Sequence, residues 1–137
     1  MKHEVSSERH YPQPIEDVWT GLTTSAALSE WFMESRGFAP EVGCEFEFTC
    51  INDDGDRDIY KCEVLELEPP TRMLWSWVLD SRAAPIKMEV EFQLVALANG
   101  TKLTVFHRSD RDPQSLERFR LGWPAPLDRL EALVDHR

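Results

Sequence analysis

The side chain best placed by spacing to do chemistry is His107. It follows Leu103 and Val105 at two-residue steps, so it shares their face of a strand. An imidazole on an apolar wall can act as acid or base near neutral pH. A catalytic pair would need a carboxylate on the same wall. Glu63, Glu89 and Glu91 alternate onto the opposite face, and Asp110 lies in the following loop. There is no Ser-His-Asp set and no glycine-rich phosphate loop. Cys62 would meet His107 only if their strands were close. The plainer reading of His107 is a half-buried histidine at a strand end, bonded to backbone or water. It is the one catalytic candidate, and binding without chemistry is the expected function.

Metal chemistry has two candidate sources. Asp53, Asp54, Asp56 and Asp58 cluster around Gly55, but position twelve counted from Asp53 is Val64, not the glutamate of a calcium loop. A solvated hairpin tip is the expectation. Cys44 and Cys50 lie on one predicted strand about 20 Å apart, at ~3.3 Å per residue, too far to share an ion held ~2.3 Å from each sulfur. With Cys62 they make three cysteines, read as free thiols. No metal and no cofactor is expected.

The elements that must position His107 follow from periodicity. Val5 to Tyr11 reads as a polar edge strand. Ile15, Val18, Trp19 and Leu22 mark a helix opened by Pro14, and Thr23 and Thr24 are cap candidates for a second, reaching Trp31 and Phe32. Arg36 to Gly43 reads as a loop. Period two then takes over. Phe46 and Phe48 share a face. Asn52 to Asp56 form a turn, and Tyr60, Cys62 and Val64 return. Glu68 to Thr71 end that strand. Met73, Trp75, Trp77 and Leu79 line the next, and Ser81 to Pro85 read as a loop. Met88, Val90, Phe92 and Leu94 alternate against Lys87, Glu89, Glu91 and Gln93, and Asn99-Gly100 turns the chain into Leu103, Val105 and His107.

Strands joined by hairpins make an antiparallel meander. It needs a cover. Leu116, Phe119, Trp123, Leu127, Leu130 and Val134 form one helical stripe. Asp112 sits at the N-cap position and Pro113 at the first helical one. Gly122, Pro124 and Pro126 predict a bend, giving pieces near 113–121 and 124–136; a loop over 113–122 is the alternative. The fold class is therefore α+β. A curved six-stranded antiparallel sheet wraps a long C-terminal helix, with two short helices after strand one.

Composition sets the remaining bounds. The 137 residues suit a single domain over 1–137. Fifteen basic against 25 acidic residues give a net charge of −10, which repels phosphate backbones and anionic lipid, so neither nucleic acid nor membrane insertion is expected. The start MKHEVSSERH lacks a signal peptide's apolar core, and no apolar run approaches ~18 residues. A cytoplasmic location is the expectation. Leu74, Val78 and Phe106 face away from the core and allow a homodimer through the outer sheet.

Taken together, Pro14-Ile15 with Val18-Trp19, Trp31-Phe32, Pro69-Pro70 with Arg72 and Leu74, Trp77, Gly100-Thr101 with Leu103 and His107, and Gly122-Trp123-Pro124 with Leu127 and Leu130 have a familiar order and spacing. They resemble the activator-of-Hsp90-ATPase-like branch of the START/Bet v 1 (SRPBCC) superfamily, over residues 8 to 134. The resemblance implies a helix-grip fold with a deep, mostly apolar cavity between sheet and helix. Members include lipid and hormone carriers, aromatase/cyclases and co-chaperone domains. The implied ligand is an apolar or aromatic small molecule, lipid- or polyketide-like. Its wall would be Trp31, Phe46, Phe48, Tyr60, Cys62, Trp75, Trp77, Met88, Val90, Phe92, Val105, His107, Phe119 and Trp123. The expected cavity is a few hundred Å³, unless these aromatics fill it themselves. The alternatives are a cyclase/aromatase-like enzyme using His107 and an Hsp90-activator-type interaction module using the acidic outer sheet.

Overall fold

Side-chain alternation produces the strands, and turn residues join them. The computed structural model describes residues 3–51, 54–79, 86–110 and 113–135. In chain order these are β1 (His3–Tyr11), α1 (Ile15–Leu22), α2 (Ser25–Trp31), β2 (Glu34–Arg36), β3 (Glu45–Ile51), β4 (Arg57–Glu68), β5 (Arg72–Leu79), β6 (Ile86–Leu97), β7 (Gly100–Ser109), α3 (Pro113–Gly122) and α4 (Pro124–Asp135). The predicted turn residues Asn52 and Asp53, the predicted loop Ser81 to Pro85 and the predicted cap Asp112 lie outside the described residues.

The strands form one sheet in the order β1-β7-β6-β5-β4-β3-β2, and every pair is antiparallel. The two edges are β1 and β2, which α1 and α2 join. This is a helix-grip fold, with a curved sheet around the C-terminal helices. The expected six strands are seven. The extra one, Glu34–Arg36, pairs with Glu47 to Thr49. It is too short and polar to show an alternation. Side chains hold it instead: Ser35 Oγ donates to the Ser25 carbonyl at 3.1 Å, and Ser35 N–H donates to Ser29 Oγ at 3.1 Å.

Thr23 and Thr24 do not cap α2 through their side chains. Each hydroxyl donates back into α1, to the carbonyls of Trp19 and Thr20 at 2.8 and 2.6 Å. This back-bonding competes with capping. The C-terminal bend falls at Trp123, between α3 and α4. Trp123 N–H still reaches the Phe119 carbonyl, and Leu127 N–H the Trp123 carbonyl, so the stripe keeps phase. Leu116, Trp123, Leu127, Leu130 and Val134 are all buried, with Phe119 packed beside them. Tyr11 Oη donates to the Leu127 carbonyl at 3.0 Å and ties β1 to α4. Arg9 pairs with Asp128 and Glu131 of the same helix, and Arg129 donates to the Trp31 carbonyl at 3.0 Å.

The outer face departs from the expected row of solvated carboxylates. Glu91 faces outward but is only 4% exposed. Arg72 Nε lies 2.6 Å and Arg108 2.7 Å from its oxygens, and Gln93 donates at 2.7 Å. Burial alone would raise the carboxyl's pKa; the three donors outweigh that and hold it below the usual carboxylate range. Leu74, its cross-strand neighbour, is buried there too.

Gly100 opens β7 with φ +144°, and a Cβ there would sit 2.0 Å from the Tyr11 carbonyl oxygen. Both the backbone angle and the contact exclude a side chain. Gly100→Ala should therefore lower the free energy of unfolding by about 1–3 kcal/mol in urea titrations. An unchanged midpoint would mean that β1 and β7 do not approach this closely.

Candidate functional site

The interior of the sheet is aromatic and largely filled. Phe46, Phe48, Trp75 and Phe92 meet edge-on or tilted, with centroids 4.8 to 5.7 Å apart. Val90 lies across from Trp75 on one side and His107 on the other. Val105 pairs with Phe92. Met88, Val90, Val105 and Cys62 are buried, and burial pushes the Cys62 thiol pKa up. Three inter-strand steps separate Cys62 from His107, on the order of 14 Å at ~4.8 Å per step, so they form no pair.

A groove remains where α2 ends beside the α3–α4 bend. Its volume is about 190 Å³, and it is lined by Phe32, Met33, Tyr60, Trp77, Arg118, Phe119, Gly122, Trp123 and Pro126. Of the residues read as a cavity wall, Tyr60, Trp77, Phe119 and Trp123 reach it. Trp31 stacks behind it on Phe32 at 5.2 Å. The others lie in the packed interior. This recess is smaller than the deep cavity the resemblance implies, and the inward aromatics pack behind it.

Phe32 is one of the lining residues that sequence reasoning left out of the wall. It stacks on Trp123 at 5.1 Å and 11°, and meets Phe48 and Trp77 edge-on. Phe32 is the C-cap of α2, with φ −113° and ψ −97°. Leaving helical geometry turns its ring inward, and no spacing rule reports that. Met33, Arg118, Gly122 and Pro126 were missed as well. The Gly-Trp-Pro break was the available signal for the last two.

His107 is fixed at the back of this recess. Trp123 Nε1 donates to its Nδ1 at 3.3 Å, so its proton sits on Nε2, 3.2 Å from Met88 Sδ. Phe119 stacks on the ring at 4.1 Å. The side chain is fully buried, and desolvation brings its pKa down to about 3. Tyr60 stands at the mouth, edge-on to Trp77 at 5.0 Å. Burial first, then Cys50 and Asp58, push its hydroxyl up to about 12, while Arg118 opposes. Trp75 and Trp77 each bury an indole N–H that has no acceptor among the described residues.

Among the described residues no three His, Cys, Asp or Glu side chains converge as a metal site, and no helix is long and apolar enough to cross a membrane. A wider hollow of about 650 Å³ lies over the outer face of β3–β5 and carries Arg36, Glu45, Glu47, Lys61 and Glu63. It is charged and open, and any protein partner of the outer sheet would meet it.

Comparison with known proteins agrees with this architecture. The family described as Activator of Hsp90 ATPase homolog 1-like protein matches residues 12–135. Protein MLL2253 from Mesorhizobium loti is 29% identical, with 98% of both chains covered and a TM-score of 0.86. CalU16 from Micromonospora echinospora is 27% identical over 96% of this chain and 75% of its own, with a TM-score of 0.77. A protein of the dynemicin biosynthetic locus, DynU16, shares the fold at 22% identity and a TM-score of 0.80, over 98% of this chain and 48% of its own. No curated protein matches the chain.

His107 makes a pH prediction. Its folded pKa lies below the ordinary value near 6.5, so the unfolded chain binds the proton first as pH falls. Its contribution is complete above about pH 6.5 and is lost on acidification toward about 3. Between about pH 6.5 and 4.5, before carboxylates titrate, stability should fall by up to about 1.4 kcal/mol per pH unit. His107→Gln keeps an acceptor for Trp123 and should flatten that slope. An equally steep slope in the variant would show that His107 is not the group responsible.

Proposed function

Because this chain belongs to the Activator of Hsp90 ATPase homolog 1-like family and has its helix-grip fold, we propose that it binds a small apolar or aromatic molecule in the recess between α2, β5 and the α3–α4 bend, without changing it chemically. The observation that carries this reading is the recess itself: Phe32, Trp77, Phe119 and Trp123 leave about 190 Å³ open among otherwise close-packed rings. Drug-sized ligands occupy roughly 300–1,000 Å³. A compact bicyclic aromatic fits the smaller space, and a long acyl chain does not.

The state of His107 favours binding over catalysis. Both its nitrogens are engaged, and it stays neutral far below physiological pH. A general base needs a free nitrogen and a pKa near the working pH. Affinity then comes from area. Burying roughly 200 Å² of ring, the size of an aromatic side chain, contributes about 5 kcal/mol. That corresponds to a Kd on the order of 0.1–1 mM before any polar contact.

Gly122 gives a direct test. It lines the recess, and a Cβ added there meets nothing within 4 Å. Gly122→Leu should fill the recess while leaving thermal stability within a few degrees. Titrating 2-naphthol should shift the indole resonances of Trp77 and Trp123 in the parent chain and leave them still in the variant. Palmitate should leave both proteins unperturbed. Equal binding of 2-naphthol to parent and variant would remove this recess as the site.

A further inference from the structure

Trp77 lines the recess and, just beneath its surface, carries a buried hydrogen-bond donor that finds no acceptor among the described residues. Trp77 is 1% exposed, and its Nε1–H has no partner among the described residues. Trp31 Nε1 donates to the Gly21 carbonyl at 2.9 Å and Trp123 Nε1 to His107; Trp75 Nε1 is unpaired as well, but of the two only Trp77 lines the recess. A buried donor left unpaired costs about 1–3 kcal/mol, and buried polar atoms normally find partners. We propose that the ligand of this recess is a neutral aromatic carbonyl compound whose oxygen accepts the Trp77 Nε1–H while its ring lies among Phe32, Phe119 and Trp123. This rests on the binding function proposed above and narrows it from any small aromatic to one that carries an acceptor.

Charge decides between a carbonyl and a carboxylate. Arg118 stands at the recess and would favour an acid. Tyr60 reports the local field, and there Asp58 acts more strongly than Arg118 and in the opposite sense. The chain as a whole carries −10. A second negative charge would enter against that field, whereas a neutral oxygen enters without that penalty. His107 cannot take the acceptor instead, since its only N–H faces Met88 Sδ. Access to Trp77 requires that a neighbour turn aside. Met33 lines the recess, is only partly buried and has an unbranched thioether that repacks readily.

The test uses molecules that differ at one position. 1-Indanone and indane have nearly the same shape, and only the first carries an oxygen. In NMR titrations of the full chain, 1-indanone should bind at least tenfold more tightly than indane and move the Trp77 indole proton downfield. Trp77→Phe keeps an aromatic ring and removes the donor. Its thermal midpoint reports whether it folds, and it should bind both compounds alike. Indane-1-carboxylate, which carries an acid in place of the ketone, should bind no better than 1-indanone. Equal affinities of 1-indanone and indane for the parent chain would overturn the acceptor proposal and leave the recess as an aromatic site. A tighter carboxylate would overturn the neutral class. Failure of all three compounds to bind would overturn both this proposal and the function on which it rests.

Discussion

Backbone pairing in the meander imposes one constraint on everything else. Each antiparallel step fixes which side chains face α3 and α4, and a slip of one residue would turn the whole set to water. From β3 to β7 the registers agree: Phe46 lies across from Cys62, Cys62 from Trp77, Trp77 from Met88, Val90 from His107. One irregularity, between Val64 and Glu66, inserts a residue into β4 and leaves the register shifted by one, which turns Leu67 inward opposite Met73. Such a bulge increases local twist, and a sheet that wraps a helix needs twist and curvature.

The same constraint accounts for the recess. Parity sends eight or so large rings to one side, and close packing of these rings consumes most of the volume a helix-grip fold could leave open. The recess lies where the covering element breaks. Pro124 interrupts the helical ladder, Gly122 contributes no side chain, and Phe32 leaves α2 to stack flat on Trp123. His107 supports that junction from beneath, accepting from Trp123 and stacking on Phe119. The residue that looked most like a catalyst in the sequence is thus buried in the fold, between Trp123 and Phe119.

Much of this was legible in the residues. The alternation of Met88, Val90, Phe92 and Leu94 predicted a half-buried strand, and the stripe from Leu116 to Val134 predicted the cover and its bend. The remainder depended on information that periodicity does not contain. Glu34–Arg36 forms a strand because Ser25 and Ser29 on a neighbouring helix satisfy it, not because its own residues alternate. Glu91 has outward parity, but parity cannot show that Arg72 and Arg108 converge on it. Wall residues could be assigned to the correct face. Which of them reach an opening depended on ring packing, set by the dihedral angles of Phe32 and by the volumes of its neighbours.

The most direct measurement is the set of intermolecular NOEs between a bound bicyclic aromatic and the ring protons of an isotopically labelled sample. Contacts to Phe32, Trp77, Phe119 and Trp123, with none to Val90 or Val105, are the expected result. Contacts to Val90 and Val105 would mean that the interior opens into a deep cavity. Contacts confined to Val78, Lys61 or Glu47 would move the site to the outer face and contradict a recess formed by the break in the covering helix.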